Sequence, residues 1–255
     1  MNGMPRRWPL DRVALEAEQR ALSVAADRAS PWGPRPRELA AAWEPLCLAS
    51  LRVTAAFAAF PRGEGGPGAA GQPVVAAAAL WRHGRVEGES LVRGASYGPY
   101  IAGLLALRCG ALLEAAVAGL PQPPDLVLVD ATGRDHPRRA GLALHLGARL
   151  GVPSVGVTNR ALIADYEEPD EAGGSFSPLR AGEELVGYAV RTRAGARPVL
   201  AHAAWRTTPE VARDVVLALS GRWRTPLPLR AARTLARTAR ASCNEDISPD
   251  GRGTS

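Results

Sequence analysis

The sequence contains no lysine, so all 31 of its basic residues are arginines, against 25 acidic residues. Cysteine is also scarce: Cys47, Cys109 and Cys243 are widely spaced, which excludes a disulfide framework and a zinc-ligand spacing. A reducing compartment, the cytoplasm, is therefore the expected location. No apolar segment follows Arg6 and Arg7, and no stretch approaches the roughly 18 apolar residues of a membrane span. Neither a signal peptide nor a membrane partner is expected.

The excess of basic residues gives a formal net charge of +6 and a pI near 10. Such a balance is typical of proteins that bind anionic partners such as DNA or RNA. A genome rich in G and C would produce the same abundance of Ala, Gly, Pro and Arg, and composition alone leaves both explanations open. A hydrophobic content of 46% in 255 residues is sufficient for the core of one α/β domain.

The pattern along the chain predicts a mixed α/β fold. We predict an N-terminal helix and linker over residues 1–36, a main domain over 37–240 and a disordered tail over 241–255. The elements predicted in the main domain are strands at 46–55, 74–81, 86–93, 126–129, 152–157, 184–191 and 199–205, and helices at 101–120, 137–150, 209–219 and 229–240. An antiparallel meander followed by parallel crossover strands is the layout of a ribonuclease-H-like mixed sheet flanked by helices.

The stretch from Leu126 to Asp130 is the centre of this arrangement. Its first four residues are apolar, which predicts a strand buried on both faces. Asp130 follows at the carboxyl end of that strand, and in open α/β sheets this edge is where ligands bind. His136, Arg138 and Arg139 come next, ahead of an apolar helix. The order of strand, acid, turn, cations and helix favours a phosphate-handling edge.

Four stretches match the motifs of one known family in order and spacing. Residues 99–108, PYIAGLLALR, are similar to P-Y-[IV]-P-G-[FL]-L-x-[FL]-R-E, and residues 127–133, VLVDATG, to V-[FL]-V-D-G-x-G. Residues 136–147, HPRRAGLALHLG, and 152–157, VPSVGV, resemble H-P-R-x-x-G-x-A-[SC]-H-x-G and V-P-[ST]-[IV]-G-V. The chain thus resembles the endonuclease V family, nucleases that cut beside deoxyinosine in DNA or inosine in RNA. The resemblance implies the ribonuclease-H-like fold, a role in DNA repair and a nucleic-acid partner.

The resemblance also implies a metal site, because the family holds a divalent metal with carboxylates from three separate motifs, assisted by a His and a Lys. Only one of these five positions keeps its residue type, Asp130, the expected metal ligand and catalytic residue. Arg52 stands where the first acid is expected and Cys109 where the second is expected. Asn159 replaces the lysine and Trp205 replaces the histidine. We therefore expect metal-dependent cleavage to be impaired or absent.

The substitution of Arg52 leads to a specific hypothesis. A guanidinium at the metal position repels a divalent cation and can bind a carboxylate through two parallel hydrogen bonds. We hypothesise that an Arg52–Asp130 ion pair has replaced the metal site; the alternative is that Arg52 extends to the surface and the first motif is misaligned. Mg²⁺ is the expected cofactor if any metal is still bound, and the substitutions predict that none is.

Other positions of the matching motifs are predicted to contact the substrate: Pro99, Tyr100, Ile101, Gly103, Gly133, His136, Arg138 and Arg139. By resemblance, the turn with Tyr100 is a wedge that enters the gap left by a flipped base, although its second proline is Ala102. The cations after Asp130 have two possible roles, contact with backbone phosphates or bracing of the turn. Cys109 is either a nucleophile or a small buried residue, and Trp205 either stacks on a base or belongs to the core.

Three functions remain open at this point. The first is a degenerate relative that keeps the fold and nucleic-acid binding but not cleavage. The second is a repurposed enzyme that acts on a small anionic substrate in the old pocket with Asp130, Arg52 and Cys109. The third is an active nuclease whose metal ligands lie elsewhere in the sequence.

Overall fold

The computed structural model describes residues 7–32, 50–61 and 68–245, and the structural statements below concern these residues. Its helices are α1 (Arg12–Arg28), α2 (Leu105–Ala118), α3 (Leu142–Leu150), α4 (Pro209–Ser220) and α5 (Leu227–Glu245). Its strands are β1 (Val53–Ala59), β2 (Pro73–Arg82), β3 (Arg85–Ala95), β4 (Leu126–Val129), β5 (Ser154–Thr158), β6 (Phe176–Ala181), β7 (Glu184–Val190) and β8 (Val199–Ala203). None of the helices within these ranges has the length and apolar character that crossing a membrane requires.

The strands form one mixed sheet in the order β3-β2-β1-β4-β5-β8-β7-β6. β1 and β4 are parallel, as are β4 and β5, and every other pair of neighbours is antiparallel. The three-stranded meander, the parallel centre and the pairing of β7 with β8 agree with the predicted layout. The predicted fold class, a ribonuclease-H-like mixed sheet flanked by helices, is confirmed.

The central strands are buried on both faces, which explains their nearly uninterrupted apolar sequence. On one face, Ala56, Val127 and Val129 pack in a core with α2, α3 and the buried side of α1. On the other face, Phe57 and Leu128 pack in a second core with α4 and α5. Helices therefore cover both sides of β1 and β4, and the carboxyl ends of these two strands remain open for a site.

Several element boundaries differ from the prediction. β1 begins at Val53, so Arg52 lies before the strand and not inside it. The helix predicted from residue 137 begins at Leu142, because Arg139 adopts a left-handed φ of 53° that an α-helix cannot continue through. α5 continues to Glu245, into the region predicted as tail, while residues 246–255 and the predicted start of the first strand, 46–49, lie outside the described residues.

β6 has no counterpart among the predicted elements. Its residues alternate between buried and exposed, as expected for the edge strand of a sheet with one covered face. Pro178 lies in the middle of the strand, which argues against a strand when only the sequence is considered. An edge strand tolerates the proline because one side of its backbone is not paired with a full strand; on that side β6 has an isolated bridge between Arg180 and Asp165.

α1 is anchored to the turn that precedes α2. Asp11 caps the helix by accepting a hydrogen bond from the Ala14 amide at 2.8 Å. Gln19, which is 1% exposed, donates its side-chain amide to the Gly103 carbonyl at 3.0 Å. The N-terminal helix is thus packed onto the region that carries the predicted wedge.

Candidate functional site

Asp130 lies where the sequence placed it, at the carboxyl end of β4. Its backbone amide donates to the Ala56 carbonyl of β1 at 3.3 Å, and Ala56 lies opposite Val129 in the parallel register. The next residue of β1, Phe57, therefore lies beside Asp130. A metal held between these two strands would need a second carboxylate beside Asp130, at position 57. This chain has a phenylalanine there.

The carboxylate of Asp130 is paired with Arg233 of α5. The Nη2 atom of Arg233 lies 2.9 Å from Oδ1 of Asp130, with the two side chains 14% and 25% exposed. The guanidinium also lies over the ring of Phe57, 5.7 Å from its centroid. A cation carried by the protein thus lies against the carboxylate that the sequence predicts as the metal ligand.

The predicted ion pair between Arg52 and Asp130 is wrong. Arg52 precedes β1 and pairs with Asp125, which precedes β4, at the opposite end of the two parallel strands from Asp130. Its Nη2 and Nε atoms donate to the two carboxylate oxygens of Asp125 at 2.6 and 3.0 Å. This pair holds the pKa of Asp125 below its usual range and ties the beginnings of the strands together. Asp130 does pair with an arginine, but that residue is Arg233 of α5 and not Arg52.

Cys109 lies within α2 and is 2% exposed. Its Sγ atom contacts the Leu105 carbonyl at 3.6 Å, and burial raises the pKa of the thiol to about 12. At neutral pH the residue is a neutral, buried thiol. The buried, protonated thiol argues against a thiolate nucleophile, and the alternative of a small core residue is the one the packing supports.

The donor set beside Asp130 does not fit Mg²⁺. This ion needs hard oxygen ligands in octahedral geometry. The phenyl ring of Phe57, the thiol of Cys109 and the guanidinium of Arg233 lie near Asp130, and none of them supplies such an oxygen; the cavity beside Asp130 adds the hydroxyl residues Thr132 and Thr158 but no second carboxylate. Across residues 7–32, 50–61 and 68–245, no group of three or more His, Cys, Asp and Glu side chains is arranged to hold a metal.

The two remaining substituted positions lie at opposite ends of β5. Asn159 follows the last residue of this strand and is exposed at the end of the sheet that carries Asp130. Trp205 lies beside the first residue, where its backbone amide donates to Oγ of Ser154 at 3.1 Å and its side chain packs against the first core. The structure therefore does not bring Trp205 to Asp130.

A cavity of about 280 Å³ lies on the other side of Asp130, under the predicted wedge. Its lining includes Tyr100, Ile101, Gly103, Asp130, Ala131, Thr132, His136, Thr158, Arg160 and Leu162. Tyr100 and Ile101 are 52% and 39% exposed at its mouth, next to Pro99. Exposed apolar and aromatic side chains at a cavity mouth are suited to contact a planar ligand.

His136 and Arg138 brace the wedge. The Gly103 carbonyl, at a residue with a left-handed φ of 79°, accepts from Nε2 of His136 at 2.8 Å and from Nη2 of Arg138 at 3.3 Å. The Nδ1 atom of His136 accepts from the Arg138 amide at 3.1 Å. Both ring nitrogens are thereby satisfied with a neutral ring, and burial lowers the pKa of His136 in the same direction.

Arg139 is held by carboxylates of two other elements. It donates to Glu184 at 2.7 and 2.8 Å and to Asp27 of α1 at 2.9 and 3.2 Å. Arg134 joins the same network through Asp27 at 2.6 Å. Of the two roles left open for the cations after Asp130, the contacts of Arg138 and Arg139 are those of bracing.

Gly133 is fixed by packing, because a Cβ there would lie 2.0 Å from the Ala203 carbonyl oxygen.

A second polar arrangement borders the cavity and was not predicted. Nε2 of the fully buried His202 lies 2.8 Å from Oγ1 of Thr158, and its Nδ1 lies 3.8 Å from Oδ2 of Asp135 without a hydrogen-bond partner. Asp135 accepts three backbone N–H bonds, from residues 162–164. Burial lowers the pKa of His202 to about 4, so the ring is neutral at neutral pH.

Comparison with known proteins supports the resemblance seen in the motifs. The family model described as Endonuclease V matches residues 66–234. An Endonuclease V from Streptomyces coelicolor is 45% identical over 141 residues, which are 55% of this chain and 60% of that protein. The matched part therefore spans less than two thirds of the length of this curated relative.

Solved structures extend the similarity over nearly the whole chain. The crystal structure of Endonuclease V from Streptomyces avermitilis has a TM-score of 0.76 at 33% identity and covers 93% of this chain and 96% of its own. An Endonuclease V from Ciona intestinalis, solved in complex with a DNA that contains an inosine followed by a ribo-adenosine, has a TM-score of 0.68 at 18% identity. It covers 91% of this chain and 98% of its own and shows the shared fold.

Proposed function

The chain belongs to the endonuclease V family, and we propose that it is a nucleic-acid-binding member that does not cleave the strand. The observation that carries the proposal is the guanidinium of Arg233 on the carboxylate of Asp130 at 2.9 Å. A divalent cation at this point would have to displace Arg233 and would find a single carboxylate. The metal of this family polarises the phosphate and activates the attacking water, so its loss removes the chemical step but not binding.

Retention of nucleic-acid binding is supported by features that do not depend on the metal. The net charge of +6 favours a polyanionic partner. The exposed side chains of Tyr100 and Ile101 at the cavity mouth are suited to stack against bases. The related Ciona protein binds an inosine-containing DNA. We expect the partner to be DNA or RNA in the cytoplasm.

The test is a paired assay of binding and cleavage on inosine-containing and inosine-free oligonucleotides of DNA and RNA. We expect binding that weakens steeply with salt, and no nicking in Mg²⁺ or Mn²⁺. Asp130→Asn is the matched variant, and we expect no nicking by it either. Metal-dependent nicking that Asp130→Asn abolishes would overturn the proposal in favour of an active nuclease.

A second candidate function is favoured by the arrangement of Thr158, His202 and Asp135. The repurposed enzyme cannot use Arg52, which lies at the far end of the strands, or Cys109, whose thiol pKa of about 12 keeps it protonated. In this candidate, the Thr158 hydroxyl turns from the Arg160 carbonyl, to which it donates at 2.8 Å, towards Nε2 of His202. Oγ1 of Thr158 then attacks the carbonyl carbon of a small anionic ester as its proton passes to Nε2 of His202. His202 then gives this proton to the oxygen of the departing alcohol. Water hydrolyses the acyl ester on Thr158, which releases the carboxylic acid and restores the hydroxyl.

This candidate has a separate test, hydrolysis of a panel of chromogenic carboxylate esters. Thr158→Val removes the hydroxyl with little change of shape, and Thr158→Ser keeps it. Turnover by the native chain and by the serine variant, but not by the valine variant, supports the second candidate. Equal background rates for all three proteins eliminate it.

A further inference from the structure

The charged residues near the end of the described chain are predominantly positive. Residues 221–240 contain six arginines and no acidic residue: Arg222, Arg224, Arg230, Arg233, Arg237 and Arg240. This segment comprises the approach to α5 and most of the helix, and it packs against β1 and β2. A basic helix of this kind usually presents its cations to solvent, so the contacts of each arginine decide what the segment can do.

These arginines differ from those of the turn after Asp130. Arg138 and Arg139 are neutralised by Glu16, Asp27 and Glu184. Within the described ranges of the chain, the pair between Arg233 and Asp130 is the one ion pair of the basic segment. Arg240 is left aside here because it has contacts of its own. The basic segment therefore carries cations that are not neutralised in this way, in contrast to Arg138 and Arg139 of the turn after Asp130.

Three of these arginines, together with Arg197 from the loop before β8, lie near the end of β1 and β4. Arg233 and Arg237 both lie over the ring of Phe57, 5.7 and 5.5 Å from its centroid. The pKa of Arg224 is lowered mainly by burial of its guanidinium. The positive charges of Arg233 and Arg197, which lie close by, lower this pKa further. We call Arg197, Arg224, Arg233 and Arg237 the arginine cluster. Among the residues that the structure describes, Asp130 is the one carboxylate that pairs with the arginine cluster, so positive charge is in excess there.

The hydrogen-bond capacity of the arginine cluster is not exhausted. Arg233 uses Nη2 on Asp130, and its Nη1 lies 3.4 Å from Thr225 Oγ1. Its Nε–H is buried and has no acceptor among the described residues. A buried donor without an acceptor is destabilising, and an anionic oxygen brought into the cluster would offset part of this cost. Arg197 and Arg237 are exposed and leave the cluster accessible from solvent.

We propose that the arginine cluster binds a phosphate group at the end of β1 and β4, and that this group belongs to the backbone of a bound nucleic acid. Guanidinium groups bind phosphate oxygens in pairs of parallel hydrogen bonds, and several of them together can balance a charge that a metal ion would otherwise balance. The replacement of the metal by Arg233 would thus convert a cleavage site into a holding site. The assignment of the phosphate to nucleic acid rests on the proposed function.

The test uses two double variants of the full chain that each remove two exposed positive charges. Arg197→Gln/Arg237→Gln acts on the arginine cluster, and Arg20→Gln/Arg28→Gln acts on α1, across the sheet. Fluorescence anisotropy with a single-stranded oligonucleotide gives Kd over a series of salt concentrations. Each phosphate contact contributes about 0.7 to the slope of log K against log salt for a single strand. Because the cluster is proposed to bind one phosphate, we expect the cluster variant to show a slope smaller by about 0.7 and a raised Kd. We expect the α1 variant to keep both the slope and the Kd of the native chain.

A second measurement separates this inference from the proposed function. Inorganic phosphate at matched ionic strength should raise the unfolding temperature of the native chain and of the α1 variant, relative to chloride, and have no such effect on the cluster variant. If phosphate stabilises in this way while oligonucleotides do not bind, the phosphate site stands and the proposed function fails. If oligonucleotides bind with equal slopes for both variants, or if anionic lipid vesicles bind in preference to oligonucleotides, the arginine cluster is not the site proposed here.

Discussion

Replacement of Asp130 by asparagine removes the charge that holds Arg233 at the end of β4. The pair has a 2.9 Å contact between side chains that are 14% and 25% exposed. A hydrogen bond to a charged group contributes about 1.5–3 kcal/mol, which is more than the 0.2–1 kcal/mol typical of exposed pairs. We therefore expect Asp130→Asn to lower the free energy of unfolding by about 2 kcal/mol. The variant keeps the shape of the side chain, so the change measures the charge.

Urea unfolding of Asp130→Asn, Arg233→Gln and the double variant measures the coupling between the two side chains directly. We expect a coupling energy of about 1.5 kcal/mol, because the second substitution costs little once the first has been made. Glu183→Gln, an exposed acid in the turn between β6 and β7, is the control and should change stability by less than about 0.5 kcal/mol. A coupling energy below about 0.5 kcal/mol would refute the view that Arg233 and Asp130 form an ion pair in the folded protein.

Three further predictions concern other parts of the structure. Gly133→Ala should destabilise the protein by more than about 2 kcal/mol in urea unfolding, because its Cβ would lie 2.0 Å from a backbone oxygen; near-native stability would contradict this packing. Cys109 should resist iodoacetamide in the native protein at pH 8 and react only after unfolding, as detected by mass spectrometry, since its thiol pKa is about 12. His202 is held neutral in the fold with a pKa of about 4 against 6.5 when unfolded, so its contribution to stability is present above pH 6.5 and lost as the pH falls towards 4. His202→Gln should remove part of this loss of stability, the remainder belonging to His136, whose pKa is lowered in the same direction; an unchanged pH profile would contradict a buried neutral His202.

The sequence predicted the fold because its strongest signals are local. The apolar run from Leu126 to Val129 forms β4 as expected, and the helix expected within residues 1–36 is α1. β6 was missed because Pro178 interrupts a strand pattern that an edge position tolerates. The start of α3 was missed because the left-handed backbone at Arg139 is set by contacts with Asp27 and Glu184, which lie far away in the sequence.

The candidate site was predicted in part for a similar reason. Asp130 followed from its place at the end of a buried strand. Its neighbours depend on the register between β1 and β4 and on the packing of α5, which are long-range contacts. Arg52 was selected by motif alignment, although the register places Phe57 beside Asp130. Arg233 lies 103 residues from Asp130 along the chain, and the basic character of its helix was the signal in the sequence that pointed to it.

The Thr158–His202 contact shows a different limit of sequence analysis. The two residues are 44 positions apart and lie on neighbouring strands, β5 and β8. A threonine at the end of one strand and a histidine inside another carry no pattern that would join them before the sheet is known. Only the antiparallel register of β5 and β8 brings their side chains together at the cavity.

The most direct test of the central claim is a titration with Mn²⁺, a paramagnetic substitute for Mg²⁺, followed by electron paramagnetic resonance. It compares the native chain with Phe57→Asp/Arg233→Asp, which places oxygen ligands on both sides of Asp130. The account predicts no stoichiometric Mn²⁺ binding by the native chain and the appearance of one bound ion in the double variant. Stoichiometric Mn²⁺ binding by the native chain that Asp130→Asn removes would contradict it.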